Sequence, residues 1–72
     1  MVNIAMLKEK IEKSGIALSH IANAANIDRS TMYRRLSTEG EGFTVAEATA
    51  ISKALNLSSD EVASIFFADS VA

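Results

Sequence analysis

The apolar residues of this chain recur at intervals of three and four, and strict alternation with polar residues never persists. This spacing is typical of short amphipathic α-helices and leaves no segment that favours a β-strand. Turn and capping residues divide the chain into separate segments. We predict five helices, at about residues 3–14, 18–25, 29–37, from 44 onwards, and 59–68.

The ends of these helices are marked by residues with known capping roles. Gly15 and Asn26 tolerate the left-handed conformation that ends many helices, and Asp28 is a suitable N-cap for the third helix. Two capping boxes open the fourth and fifth helices: Thr44 with Glu47, and Ser58 with Glu61. Periodicity and caps together predict one all-α domain over residues 1–72.

Each predicted helix has an apolar face that we expect to line the core. At 72 residues the core is small, and no cysteine is present to form a disulfide, so stability must come from helix packing. The expected core residues are Ile4, Leu7, Ile11, Leu18, Ile21, Ala22, Ala25, Ile27, Met32, Leu36, Val45, Ala48, Ile51, Leu55, Val62, Ile65 and Phe66.

Composition argues against several functional classes. With no cysteine and one histidine, the common zinc-finger spacings are excluded. No glycine-rich phosphate loop or catalytic pair is present, so we expect no enzyme activity, cofactor or metal. The start "MVNIAMLKEKIEK" does not resemble a secretory signal, and the bulky apolar run Ile65–Phe67 is too short to span a membrane. We therefore expect a cytoplasmic protein.

Charge is distributed unevenly along the chain, although the formal net charge is only −2. Residues 1–38 hold six basic and three acidic residues, a net charge of +3. Residues 39–72 hold one basic and six acidic residues, a net charge of −5. All three arginines lie in "DRSTMYRRL", and a local basic face of this kind matters more for nucleic-acid binding than the total charge.

A helical wheel sorts the third helix into two sides. Met32 and Leu36 face the core. An arc of about 140° on the other side holds five polar or aromatic residues: Arg29, Ser30, Tyr33, Arg34 and Ser37. Arg35 lies at the border, where its stem can pack while its head reaches solvent. The arc offers donors for guanine and phosphate and a ring for a thymine methyl group. Alternatively, the arginines form a solvated face, paired with Asp28 or a nearby glutamate.

The second and third predicted helices are separated by a very short turn. Such a turn forces a steep crossing, which is typical of a helix-turn-helix, here at about residues 18–37. In that motif the first helix contacts the phosphate backbone and the second enters the major groove. The predicted DNA-contacting residues are Arg29, Ser30, Thr31, Tyr33, Arg34, Arg35 and Ser37, with Ser19 and His20 on the second helix.

The segments "GIALSHIANAANIDRSTMYRRL" and "FTVAEATAISKALNLSSDEV" resemble the Cro/C1-type helix-turn-helix domain of phage and bacterial repressors. The resemblance covers about Leu7 to Phe66. Matching positions include Gly15 before the second helix, Ile27 in the turn and Met32 at the centre of the third helix. The resemblance implies a compact lambda-repressor-like fold of five helices and a short Cro-like regulator of a temperate phage or prophage, acting at the host nucleoid.

The chain also departs from the family pattern. Ala17 replaces the usual Ser or Thr cap, and Leu18 replaces an often polar residue that contacts phosphate. Glu39 and Glu41 place negative charge in the loop after the third helix, where acids would repel phosphate. These departures leave a second function open.

Two functions are consistent with these features. The first is a sequence-specific DNA-binding transcriptional regulator, a Cro-like repressor that binds a palindromic double-stranded operator as a homodimer. The alternative is an antirepressor that binds the phage's main repressor protein, with little or no DNA binding of its own.

The fifth helix carries the predicted dimer or partner surface, at Ile65, Phe66 and Phe67. Adjacent helical residues point about 100° apart, so both phenylalanines cannot be fully buried in so small a core. The alternative is that one ring covers the end of the domain while the other is an isolated exposed aromatic.

Overall fold

Five α-helices account for most of residues 2–38 and 42–68, which are the residues that the computed structural model describes. Within these residues there is no β-strand, and the predicted all-α, five-helix architecture is confirmed. The predicted loop residues Glu39 and Glu41 lie outside the described residues. The helices are α1 (Ile4–Ser14), α2 (Leu18–Ala24), α3 (Arg29–Ser37), α4 (Val45–Ala54) and α5 (Ser59–Phe66).

The helix starts follow from side-chain caps. Both predicted capping boxes are present at α4 and α5, and the Asp28 carboxylate caps α3. Ala17 precedes α2 without any side-chain cap, as its methyl group requires. The predicted end of α5 at residue 68 is wrong by two residues, because Phe67 at the C-cap has a non-helical backbone (φ −125°, ψ 37°).

Among the described residues, the short connections from α2 to α3 and from α4 to α5 have the same backbone geometry. Asn26 after α2 and Asn56 after α4 both adopt the left-handed conformation, with φ of 57° and 54°. The next residue, Ile27 or Leu57, donates its N–H to a carbonyl five residues back, which is the Schellman arrangement. The left-handed turn at Asn26 was predicted from the sequence, whereas the turn at Asn56 was not.

The centre of the core takes one side chain from each helix. Five residues are completely buried there: Leu7, Ile21, Met32, Ile51 and Ile65. Around this centre α2 packs on α3 and α4, while α1 packs on α3 and α5. The α1–α5 contact is reinforced by a backbone hydrogen bond of 2.7 Å from Asn3 to Ile65 and by an ion pair between Lys10 and Glu61. None of the described helices is long and apolar enough to cross a membrane.

One residue that was predicted to lie in the core is exposed instead. Val45 was expected to face inward with Ala48 and Ile51, but its side chain is 75% exposed. It is the first residue of α4, one turn before the buried Ala48. Periodicity identifies the apolar side of a helix, but it cannot show how far along the helix the neighbouring elements reach.

Candidate nucleic-acid interface

The polar arc of α3 faces solvent. All five residues assigned to this arc from the helical wheel are exposed, whereas Met32 and Leu36 are buried. The Arg29 guanidinium lies over the ring of Tyr33, 5.7 Å from its centroid. Arg34 is exposed as well and takes part in a further interaction within the chain. We call Arg29, Ser30, Tyr33, Arg34 and Ser37 the α3 face.

The stacking of Arg29 on Tyr33 restricts a side chain that would otherwise sample many rotamers. Tyr33 is 49% exposed, so its ring supports the guanidinium and still presents an edge to solvent. A cation–π contact at an exposed site contributes about 0.5–1 kcal/mol, enough to bias the conformation. Arg29 therefore presents its N–H donors from a partly organised position at the start of α3.

The hydroxyl groups at the start of α3 are occupied by Asp28. The Asp28 carboxylate accepts hydrogen bonds from the hydroxyls of Ser30 (2.9 Å) and Thr31 (3.0 Å) and from their backbone N–H groups. These bonds, led by that from the Ser30 hydroxyl, hold the pKa of Asp28 below its ordinary value. Since each hydroxyl has a single proton, Ser30 and Thr31 offer acceptor lone pairs rather than donors to a ligand.

Ser37 is engaged in the same way at the other end of α3. Its hydroxyl donates a 2.9 Å hydrogen bond to the carbonyl oxygen of Tyr33, one turn earlier. The prediction that the hydroxyls of the arc act as donors therefore does not hold. On the α3 face, the side-chain donors that can be directed outward include those of Arg29 and the Tyr33 phenol.

Helix α2 contributes a second group of polar side chains next to this face. Ser19 and His20 are both exposed, and they line a surface pocket of about 490 Å³ together with Asp28 and Arg29. Asn23 lines the same pocket, although it was not among the predicted site residues. The signal that could have identified Asn23 is its spacing, four residues after Ser19 and three after His20 on one side of α2.

Arg35 was predicted to contact DNA with its stem packed and its head in solvent, but the structure shows for this arginine the stated alternative, pairing with a nearby glutamate. Its Nη1 donates a 2.6 Å hydrogen bond to Oε1 of Glu47, and its guanidinium lies 5.5 Å from the centroid of the Phe43 ring. Only 21% of the Arg35 side chain and 18% of the Glu47 side chain are exposed. The border position on the wheel was right, but the head of Arg35 turns toward α4 rather than solvent.

Glu47 holds two groups with one carboxylate oxygen. Its Oε1 accepts the Arg35 hydrogen bond and a 2.8 Å hydrogen bond from the backbone N–H of Thr44 in the capping box. Partial burial raises the pKa of Glu47, but the Thr44 N–H and the Arg35 guanidinium outweigh that effect and leave its pKa below the ordinary value. Glu47 is therefore a charged anchor between the end of α3 and the start of α4.

The predicted partner surface on α5 needs a similar correction. Ile65 is completely buried and Phe66 is 8% exposed, so neither can belong to a surface. The Phe66 ring meets Phe43 edge to face, with centroids 6.0 Å apart. Phe67 is 46% exposed, which confirms that only one of the adjacent phenylalanines fits in the core.

Phe67 and the misplaced Val45 line the same apolar groove. The groove has a volume of about 390 Å³ and lies between α4 and α5. Its other lining residues include Ala48, Leu57 and Val62, with Lys53 as the charged member. Two exposed, bulky apolar side chains at one groove form a candidate contact surface for another protein. In the described ranges, no cluster of three His, Cys, Asp or Glu side chains could hold a metal ion.

Comparison with protein-family models, curated proteins and solved structures found no match to this chain. Any functional conclusion therefore rests on the α3 face, the adjacent α2 residues and the groove between α4 and α5.

Proposed function

We propose that this chain is a sequence-specific DNA-binding transcriptional regulator, a Cro-like repressor of a phage or prophage switch. In this proposal α2 and α3 form a helix-turn-helix, and α3 enters the major groove. The observation that supports it most directly is the exposed α3 face, where Arg29 is stacked on Tyr33 and followed five residues later by Arg34.

In this proposal the arginines, Tyr33 and the two α2 residues each have a partner on duplex DNA. The arginine guanidiniums can donate two hydrogen bonds to guanine O6 and N7, or bind phosphate oxygens. The Tyr33 ring edge can contact a thymine methyl group. Ser19 and His20 on α2 are placed beside Arg29, where a phosphate of the backbone would lie when α3 occupies the groove.

Charge distinguishes α3 from the other helix that follows a Schellman turn. Helix α5 begins with Asp60 and Glu61 in its first turn and has no basic residue in its last turn. Helix α3 has no acidic residue in its first turn and carries Arg34 and Arg35 in its last. Because DNA carries a dense row of phosphates, α3 is better suited than α5 to approach it, through Arg29 and Arg34 on its exposed face.

A homodimer would bind both half-sites of a palindromic operator, which lengthens the DNA sequence that the repressor recognises. Two copies of α3 would then meet half-sites about 34–36 Å apart on one side of the duplex. The groove with Val45 and Phe67 is the contact surface that we assign to the second copy. Occupying an operator that overlaps a promoter excludes RNA polymerase, which requires neither a cofactor nor a chemical step.

Selection from a library of random duplexes, followed by binding titrations, tests this function. We expect one palindromic sequence to be enriched, and Arg29→Ala to weaken its binding by about 1–3 kcal/mol, or roughly fivefold to more than a hundredfold. Lys8→Ala, which removes an exposed charge from α1, serves as the control and should have little effect. Equal losses for both variants, or no enriched sequence, would contradict sequence-specific recognition.

The exposed groove favours a second candidate, an antirepressor that binds the phage's main repressor. In that case Val45 and Phe67 contact the repressor, and α3 assists DNA binding only within the complex. Mobility-shift assays with and without a candidate phage repressor separate the two functions. A steeply salt-dependent shift with the isolated chain supports the regulator, whereas a shift that needs both proteins supports the antirepressor.

A further inference from the structure

Arg35 joins the last turn of α3 to two other parts of the fold. Its guanidinium is hydrogen-bonded to Glu47 near the start of α4, and it is also stacked against Phe43 just before α4. Phe43 in turn meets the buried ring of Phe66 edge to face. A continuous series of contacts therefore runs from the last turn of α3 to Phe66, the last residue of α5.

The rest of α3 is held mainly at its other side. Helix α3 has only nine residues and packs against α1 and α2 through Met32 and Leu36. Leu36 holds one side of the last turn in the core, but it leaves the side toward α4 to other contacts. The Arg35–Glu47 pair and the Arg35–Phe43 stack restrain that end.

We propose that Arg35 is a positioning residue: through Glu47 and Phe43 it sets the orientation in which α3 presents Arg29 and Tyr33 to DNA. This inference rests on the proposed DNA-binding function. It assigns Arg35 no contact with the duplex, in contrast to the role predicted from the sequence. The three arginines of "DRSTMYRRL" thus divide into Arg29 and Arg34 on the exposed face and Arg35 as its support.

Two physical arguments favour support over contact. Arg35 is neutralised by a carboxylate at 2.6 Å and only 21% exposed, so its charge contributes little to the field outside the protein. Moving it to a phosphate would also leave Glu47, itself 18% exposed, without its charge partner. An arginine whose role is to contact DNA needs neither an ion pair within the protein nor a mostly buried side chain.

The two roles predict opposite effects of one substitution, Glu47→Gln, on DNA affinity. Glu47→Gln keeps the capping box, because glutamine can accept the Thr44 N–H, but it removes the charge that holds Arg35. If Arg35 contacts DNA, freeing it and removing an acid will strengthen binding. If Arg35 positions α3, Glu47→Gln will weaken binding of the selected duplex by on the order of tenfold.

A double-variant cycle tests the pair directly. We expect Arg35→Gln and Glu47→Gln to weaken binding by similar factors, and the double variant to be no weaker than either single variant. The slope of log K against log salt should stay unchanged in Arg35→Gln, whereas loss of a phosphate contact lowers its magnitude by about 0.9. Arg35→Lys, which can still pair with Glu47, should restore most of the affinity.

Arg29→Gln is the matched comparison, since Arg29 has no ion pair with Glu47 among the described contacts. Its effect should add to that of Glu47→Gln instead of merging with it. Stronger binding by Glu47→Gln, or a reduced salt slope in Arg35→Gln, would overturn the positioning role and leave DNA binding itself intact.

A measurement without DNA keeps this inference separate from the proposed function. In amide NMR spectra of the free protein, we expect Arg35→Gln and Glu47→Gln to shift the same α3 resonances, including those of Arg29 and Tyr33. If the wild-type chain selects no duplex but these shifts coincide, the DNA-binding proposal fails while α3 is still oriented by Arg35. Shifts confined to the substituted residues would refute the positioning role.

Discussion

Three carboxylates each cap the start of a helix and also bind a second side chain. Asp28, Glu47 and Glu61 all accept a backbone N–H at the start of a helix and a second hydrogen bond from a side chain. The second bond neutralises Glu47 with Arg35 and Glu61 with Lys10. The net charge of −5 over residues 39–72 therefore overstates the negative charge that this half offers to a partner.

The Glu61 carboxylate should control part of the stability at low pH. The hydrogen bond from Lys10, followed by the Ser58 N–H, lowers the pKa of Glu61 from 4.5 to about 2. Because the folded-state pKa is lower than the unfolded one, this stabilisation is complete above pH 4.5 and is lost as pH falls toward 2. We expect Glu61→Gln, which keeps the capping box, to flatten the pH dependence of unfolding free energy in this range.

Urea unfolding at several pH values from 2 to 6 measures that dependence. Glu9→Gln is the control, because the pair that Glu9 makes with Lys13 at 3.5 Å is exposed. A wild-type profile as flat as that of Glu61→Gln would show that the Lys10–Glu61 pair does not couple protonation to folding.

At the scale of elements, the chain uses one connection twice. The segments "AANID" and "ALNLS" both end a helix, place Asn in the left-handed conformation, bury or partly bury the next residue, and cap the following helix. The turn therefore defines the geometry of a helix pair but not its function. The function depends on which residues the second helix exposes, and these differ in charge between α3 and α5.

The repeated turn predicts matched responses to substitution. A residue with a Cβ costs roughly 1–2 kcal/mol in the left-handed helical conformation unless, like Asn, it tolerates that region. We expect Asn26→Ala and Asn56→Ala to lower the free energy of unfolding by similar amounts, about 1 kcal/mol each. Asn26→Gly and Asn56→Gly should be close to wild type.

Chemical denaturation of the four variants gives this comparison. Glycine variants as unstable as the alanine variants would mean that the asparagine side chains, and not the left-handed backbone, are what the turns require.

For the whole molecule, the decisive feature is a core centre built from one residue of each helix. Truncating any one of them leaves a cavity in this shared centre, and a domain of this size has little stability to spare. The five helices should therefore unfold as one cooperative unit.

Two substitutions in α4 test the difference between its centre and its first turn. Ile51→Ala, at a completely buried position, should destabilise the domain by about 2–5 kcal/mol. Val45→Ala, at a 75% exposed position, should change the stability of the monomer by no more than about 0.5 kcal/mol. Thermal unfolding at low protein concentration compares them, and a large loss for Val45→Ala would show that Val45 is covered in solution.

The sequence alone determined the helical class, most helix bounds and the capping residues, because these depend on local preferences over a few positions. The spacing of apolar residues also identified Met32 and Leu36 as buried and the opposite side of α3 as exposed. These features are local, so neighbouring residues carry enough information to predict them.

Only the tertiary structure decided where Arg35, Val45 and Phe66 lie. Arg35 lies twelve residues before Glu47, and its position at the border of α3 is equally compatible with solvent, DNA or an ion pair. Val45 depends on how far other helices extend along α4, and Phe66 depends on Phe43 reaching it from before α4. Each outcome is a contact between segments distant in sequence, which local periodicity does not encode.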